Sequence, residues 1–273
     1  MGVRSMATLV ETPDVKILLD PGAGLGFGSG LQPHPLELWC LARHRERIRL
    51  WMRRSNVIVI SWFHPDRFIE DEPELYRNKT IFIKNPNQFV NTRQRNKAFR
   101  FLRQVQPIAK DVSFADGREF RIRGTRFVFS DALPAGDKEQ TGGLIQTAVR
   151  MDEACWVFTS DSQGFRTDAY LDFVVAQKPQ AVYCDGPATY LGSGKTKASA
   201  FLLRLEKLFG LTATSQIIID HHVMRDPDWW DTMEPIARLA KDAGVQVQTA
   251  AELRGETNNP LEARRKFLYE ESP

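Results

Sequence analysis

The chain has 273 residues, of which 42% are hydrophobic and 26% charged, a balance that excludes a disordered or fibrous protein. Net charge is +3, and no apolar run approaches the roughly 18 residues of a spanning helix, so no membrane segment is expected. The three cysteines, Cys40, Cys155 and Cys184, are odd in number and widely spaced, which argues against a disulfide framework or a zinc knuckle.

In chain order, residues 2–11 and 13–19 read as two strands around a turn at Pro13 and Asp14. A glycine-rich loop, Gly22 to Gly30, follows. No frame of it gives the dinucleotide fingerprint, and it reads as a flexible loop or lid beside a site. Pro33 to Arg54 has helical spacing. Val57 to Ile60 is a short apolar run bounded by polar residues, the mark of a strand buried on both faces. Ser61 to Arg67 then gathers a hydroxyl, an indole, an imidazole, a carboxylate and a guanidinium at its end.

A strand is expected over 80–84, a helix over 91–104, three strands within 107–130 and a hairpin-like pair at 142–150 and 155–160. From there the pattern alternates. Helices 167–177, 196–209 and 228–243 lead to strands 180–185, 215–220 and 245–249, which means helices packed on sheet faces. A charged helix closes the chain at 261–269. Gly192-Ser-Gly-Lys-Thr196 imitates a P-loop, but Thr189 stands where that motif needs glycine, so nucleotide triphosphatase chemistry is set aside. Cys155 and Cys184, on strands, read as core, as do Trp229 and Trp230; His34 is a candidate for a pocket mouth.

Trp62-Phe-His-Pro-Asp-Arg67, after its buried strand, resembles the His-x-His-x-Asp-His metal loop of the metallo-β-lactamase superfamily. Asp161 after the strand 155–160, and Asp220-His-His222 after the strand 215–220, fall where that superfamily has a bridging aspartate and a last histidine. Ile17–Gly22, Leu31–Glu37, Ser160–Gly164, Asp185–Leu191, Asp220–Asp226 and Leu261–Arg265 resemble a mainly archaeal branch of metallo-β-lactamase-fold hydrolases. The resemblance implies a four-layer αββα sandwich, one domain over 1–273, with a site where 61–67, 133–136, 160–164 and 220–222 converge.

It also implies a reduced ligand set. The first metal's positions are Trp62, His64 and Ala135; the second metal's are Asp66, Arg67, Asp161 and His221 or His222. Two carboxylates and one imidazole would hold a single zinc, manganese or iron ion. Adjacent histidines on an extended segment point to opposite faces, so only one of His221 and His222 is expected to face the site. His64 would act as base and Arg67 would hold an anionic oxygen of an ester or phosphoester substrate. The alternative is a metal-free, inactive relative in which Asp66, Arg67 and Asp161 form an ion network. In it, Arg67 and the segment 77–110, with nine Lys or Arg and no acid, bind an anionic or nucleic-acid partner. The amino-terminal seven residues lack a signal peptide's apolar core, and a cytoplasmic location is expected.

Overall fold

The computed structural model describes residues 2–26, 30–135 and 142–271. These divide into two compact units, one of residues 3–26 and 35–147, the other of residues 2, 30–34 and 148–271. Part of the expected lid loop, 27–29, and Gly136 of the loop 133–136 lie outside the described residues.

In the first unit, β1 (Thr8–Glu11), β2 (Lys16–Leu19), β3 (Val57–Ile60), β4 (Thr80–Ile83) and β5 (Asp111–Phe114) form one sheet in that order. β1 and β2 pair antiparallel, and every later pair is parallel. The first strand is shorter than its sequence suggests, because the residues before Thr8 reach only a loop: Arg4 and Gly24 exchange backbone hydrogen bonds of 3.0 and 2.8 Å. All four residues of β3 are buried, as its unbroken apolar run requires.

Two helices cover one face of this sheet. α1 (Pro35–Arg54) starts on a proline, whose missing N–H costs nothing in a first turn, and ends on two arginines that suit its negative pole. α2 (Thr92–Val105) starts on a reciprocal capping box between Asn91 and Gln94. Leu18, Ile58, Ile60, Ile81 and Ile83 pack with Met52, Ala98, Phe101, Leu102 and Val105 in one core. The opposite face carries Phe82. It meets Phe120, Phe127 and Phe129 at ring-centroid distances of 4.5, 5.0 and 5.5 Å, on the antiparallel hairpin of β6 (Glu119–Ile122) and β7 (Thr125–Phe129). A small ribbon, β8 (Leu133–Pro134) with β9 (Gly143–Leu144), follows.

The second unit shows the expected alternation after β10 (Thr147–Met151): β11 (Ala154–Phe158), α3 (Asp168–Gln177), β12 (Ala181–Cys184), α4 (Gly194–Leu211), β13 (Gln216–Ile219), α5 (Trp229–Asp242), β14 (Gln246–Gln248) and α6 (Arg265–Glu271). Strands β11 to β14 are parallel neighbours in sequence order. Cys155 and Cys184 are core residues. Trp230 is not: it is 59% exposed, because the buried stripe of α5 runs through Thr232, Met233, Ile236 and Ala240, off which residue 230 falls. His34 is buried edge-on against Tyr269 of α6, at 4.9 Å. Among the described residues no helix is long and apolar enough to cross a membrane.

Candidate metal centre

The strands of the second unit end in sharp turns that aim polar side chains. After β11, Ser160 takes a left-handed backbone with φ of 56°, and Asp161 follows it. After β13, His221 does the same at 54°. A non-glycine residue in this region costs of order 1 kcal/mol or more unless its surroundings hold it. Asp220 supplies the hold. Its carboxylate accepts the N–H of His221 at 2.7 Å and that of Ala250 at 3.1 Å. After β12, Asp185 accepts from the Ser162 hydroxyl at 2.7 Å and the Gln163 N–H at 2.6 Å, and its carbonyl accepts the His222 N–H at 2.8 Å.

The outcome is a buried triad of Asp161, His221 and His222, one ligand atom of each lying within 4.8 Å of the others. Among the described residues it is the one such group of potential metal ligands. His222 Nε2 lies 2.7 Å from Asp161 Oδ1, and His221 Nε2 lies 3.9 Å from Asp161 Oδ2. The expectation that only one histidine faces the site is therefore corrected. It assumed an extended backbone, and the left-handed turn at His221 brings both imidazoles to the same carboxylate.

Two residues to which sequence reasoning assigned no chemistry complete the cluster. The Tyr190 hydroxyl is 2.9 Å from His222 Nδ1. Arg225 donates from Nη1 to that hydroxyl at 2.7 Å and from Nη2 to His221 Nε2. Both lie inside stretches that carry the family resemblance, Asp185–Leu191 and Asp220–Asp226, and that was their only signal.

The remaining expected residues cluster in the first unit. His64 Nδ1 is hydrogen-bonded to Asp66 Oδ1, and Trp62 stacks on His64 at 4.7 Å and 14°. Arg67, fully buried, has Nε 3.4 Å from Asp66 and Nη1 4.0 Å from Asp20. Asp20 is a partner that sequence reasoning missed. It accepts the Ser61 N–H at 2.8 Å and the Ser61 hydroxyl at 2.6 Å. Burial raises its pKa from 3.8 to about 6, against the opposing pull of Arg67. Ala135 is buried, and its N–H donates to Gly142 O at 2.8 Å.

The triad fits a divalent ion. Two imidazoles and one carboxylate are donors that zinc, manganese and iron all accept, and three protein ligands leave positions open for water or substrate. The three side chains are only 1%, 5% and 7% exposed, in the order His221, His222, Asp161, so an ion there would be shielded from bulk water. Tyr190 at the far nitrogen of His222 is the kind of outer partner that fixes a ligating imidazole.

The fold is that of known proteins. The metallo-β-lactamase fold protein YhfI from Bacillus subtilis matches 90% of this chain and 89% of its own, with a TM-score of 0.51 at 13% identity. CmlA, a diiron β-hydroxylase from Streptomyces venezuelae, matches 90% of this chain with a TM-score of 0.57 at 12% identity; the match covers 51% of CmlA, about half its length. The chain thus has the metallo-β-lactamase fold, the αββα sandwich expected from its sequence. No family model matches it. A UPF0282 protein of Korarchaeum cryptofilum is 37% identical over 278 residues, covering 100% of this chain and 92% of that protein. A UPF0282 protein of Methanocaldococcus jannaschii is 36% identical over 282 residues, covering 98% and 93%. The chain belongs to the UPF0282 family.

Proposed function

We propose that this protein is a hydrolase working with a single divalent transition-metal ion, held by Asp161, His221 and His222. The observation that carries the reading is the buried triad, with ligand atoms within 4.8 Å of one another. Asp220 and Asp185 brace the turns that present the triad. A bound ion supplies Lewis acidity and lowers the pKa of a water towards about 7, which makes hydrolysis of an ester or phosphoester feasible at neutral pH. Zinc, manganese or iron would serve, and CmlA, half of whose chain shares this fold, is itself a diiron enzyme.

His64 is the candidate base. Asp66 on Nδ1 orients the ring and leaves Nε2 to carry a proton, the division of labour seen wherever a carboxylate backs a catalytic imidazole. Arg67 fits a positioning role better than that of an anion clamp, because its charge is set against Asp66 and Asp20 in a fully buried place. Asp66 is the further ligand that the family resemblance suggests, and an Asp66→Ala variant tests that membership through its metal content.

The metal-free binding reading has weaker support. Of the basic residues in 77–110, Arg77 pairs with Glu74, Lys84 with Asp116, and Lys97 and Arg100 with Glu70, while Lys79 is buried on Ser55 O. That leaves Arg93, Arg95, Arg103 and Lys110, all exposed, as four of the nine cations open to a phosphate backbone. The deciding experiment is metal content by mass spectrometry on protein purified without chelator, beside Asp161→Ala. About one equivalent of metal, lost in the variant together with any esterase or phosphoesterase activity, supports the proposal. A folded, metal-free wild type overturns it.

A further inference from the structure

We propose that Arg225 sets the substrate class of this centre: its guanidinium takes an oxyanion of the substrate, so that the centre acts on anionic compounds. The inference rests on the metal-centre reading above and adds the substrate's charge to it.

Arg225 is half-buried beside the triad and has no carboxylate partner among the described residues. Its three nitrogens are used unequally. Nη1 donates to the Tyr190 hydroxyl at 2.7 Å, and the guanidinium lies over the Tyr190 ring at 5.6 Å. Nη2 donates to His221 Nε2. Nε is buried and makes no hydrogen bond among the described residues. A buried donor of a charged group left unmade is costly, and such a group calls for an acceptor.

The acceptor has a definite shape. The lone pair on His221 Nε2 cannot serve a guanidinium and a metal ion at once. When His221 gives it to an ion, Nη2 joins Nε as a second donor in need of a partner. Nε and Nη2 form one edge of the guanidinium and present two parallel N–H groups, the geometry that matches two oxygens of a phosphate or carboxylate. Tyr190 holds the opposite corner, so the fork is fixed before the ligand arrives.

The test titrates inorganic phosphate, with acetate in parallel, into wild type, Arg225→Met and Arg225→Lys by calorimetry, with metal content read on the same preparations. The expected result is phosphate binding by wild type, at least tenfold weaker in Arg225→Met, partly restored in Arg225→Lys, with metal content unchanged. Stronger binding of acetate than phosphate would keep Arg225 as the anion residue and assign a carboxylate. Equal phosphate and acetate binding in wild type and Arg225→Met, or no binding of either anion by wild type at millimolar concentration, overturns the inference. So does loss of the metal in Arg225→Met, which would make Arg225 a support for the ligands. Metal-free wild type that still binds phosphate through Arg225 would defeat the metal reading alone.

Discussion

His222 Nε2 and Asp161 Oδ1 stand 2.7 Å apart, joining the ends of β13 and β11 inside a buried cluster that also holds His221. This pair is the shortest contact of the triad, and replacing either partner should be felt first by a bound ion. Asp161→Asn keeps the shape and one acceptor oxygen, so the fold should survive with a modest change in melting temperature. Metal affinity should fall by about two orders of magnitude or more, since an amide oxygen is a poorer ligand than a carboxylate. Titration with zinc against a competing chelator measures this, and an unchanged affinity would remove Asp161 from the ligand set.

Tyr190→Phe isolates the outer partner of the same histidine. The ring and its packing remain, and the hydroxyl that meets His222 Nδ1 and receives Arg225 Nη1 is lost. Loss of such an outer hydrogen bond lowers metal affinity by about 10- to 100-fold. Protein stability should change by only about 1 kcal/mol, the net worth of an ordinary hydrogen bond. Chelator-competition binding read beside denaturant unfolding separates the two effects.

Gly22 gives a test of how the loop after β3 is seated. A Cβ at this position would lie 2.3 Å from Phe68 N and 2.6 Å from Arg67 N and C, all backbone atoms that cannot swing aside. Gly22→Ala should therefore push the loop off its seat. Overpacking in a tight interior costs typically ~1–3 kcal/mol, and a clash with backbone belongs at the upper end. Because Arg67 and Asp66 sit on that loop, buried charges would lose their partners as well. Urea unfolding should show a midpoint well below wild type. By contrast Gly192→Ala, where a Cβ would meet nothing within 4 Å, should be nearly neutral.

How much of this was legible in the sequence differs from element to element. Val57–Ile60 and Gln216–Ile219 were plain, because a buried parallel strand leaves an unbroken apolar run. The alternation from β11 to β13 was plain for the same reason, while β14, Gln246-Val-Gln248, was marked by its place after a helical stretch. The carboxylate and imidazoles of the triad were also named, since each follows such a strand. Their mutual geometry was not. It depends on left-handed turns at Ser160 and His221; serine gives no sign of positive φ, and histidine, though enriched there, gives only a weak one. In hindsight Asp220 was the available signal, an aspartate able to bind the N–H of its own neighbour. The partner of Arg67 was hidden for another reason. Asp20 comes from the end of β2, and only the parallel pairing of β2 with β3 brings it to Ser61 and Arg67. Sequence proximity pointed to Asp66 and could point no further.

Asp20 also sets a pH dependence. Its carboxyl is fully buried, and desolvation raises its pKa from 3.8 to about 6 although Arg67 and Ser61 pull it down. Between these two values the folded chain keeps a proton that the unfolded chain has released. Stability contributed by this group is therefore complete below about pH 3.8 and is lost as pH rises through about 6. The difference of about two pH units corresponds to ~3 kcal/mol at most. Other carboxylates titrate over the same range, so the effect is read against Asp20→Asn. The amide can accept the Ser61 N–H and donate to the Ser61 hydroxyl, and it does not titrate. Relative to wild type, Asp20→Asn should gain stability as pH rises from about 4 to about 7, by up to ~3 kcal/mol. Urea unfolding of both proteins across that range measures it. Parallel stability profiles would mean that Asp20 titrates alike in the folded and unfolded chain, with Arg67 and Ser61 fully offsetting its burial.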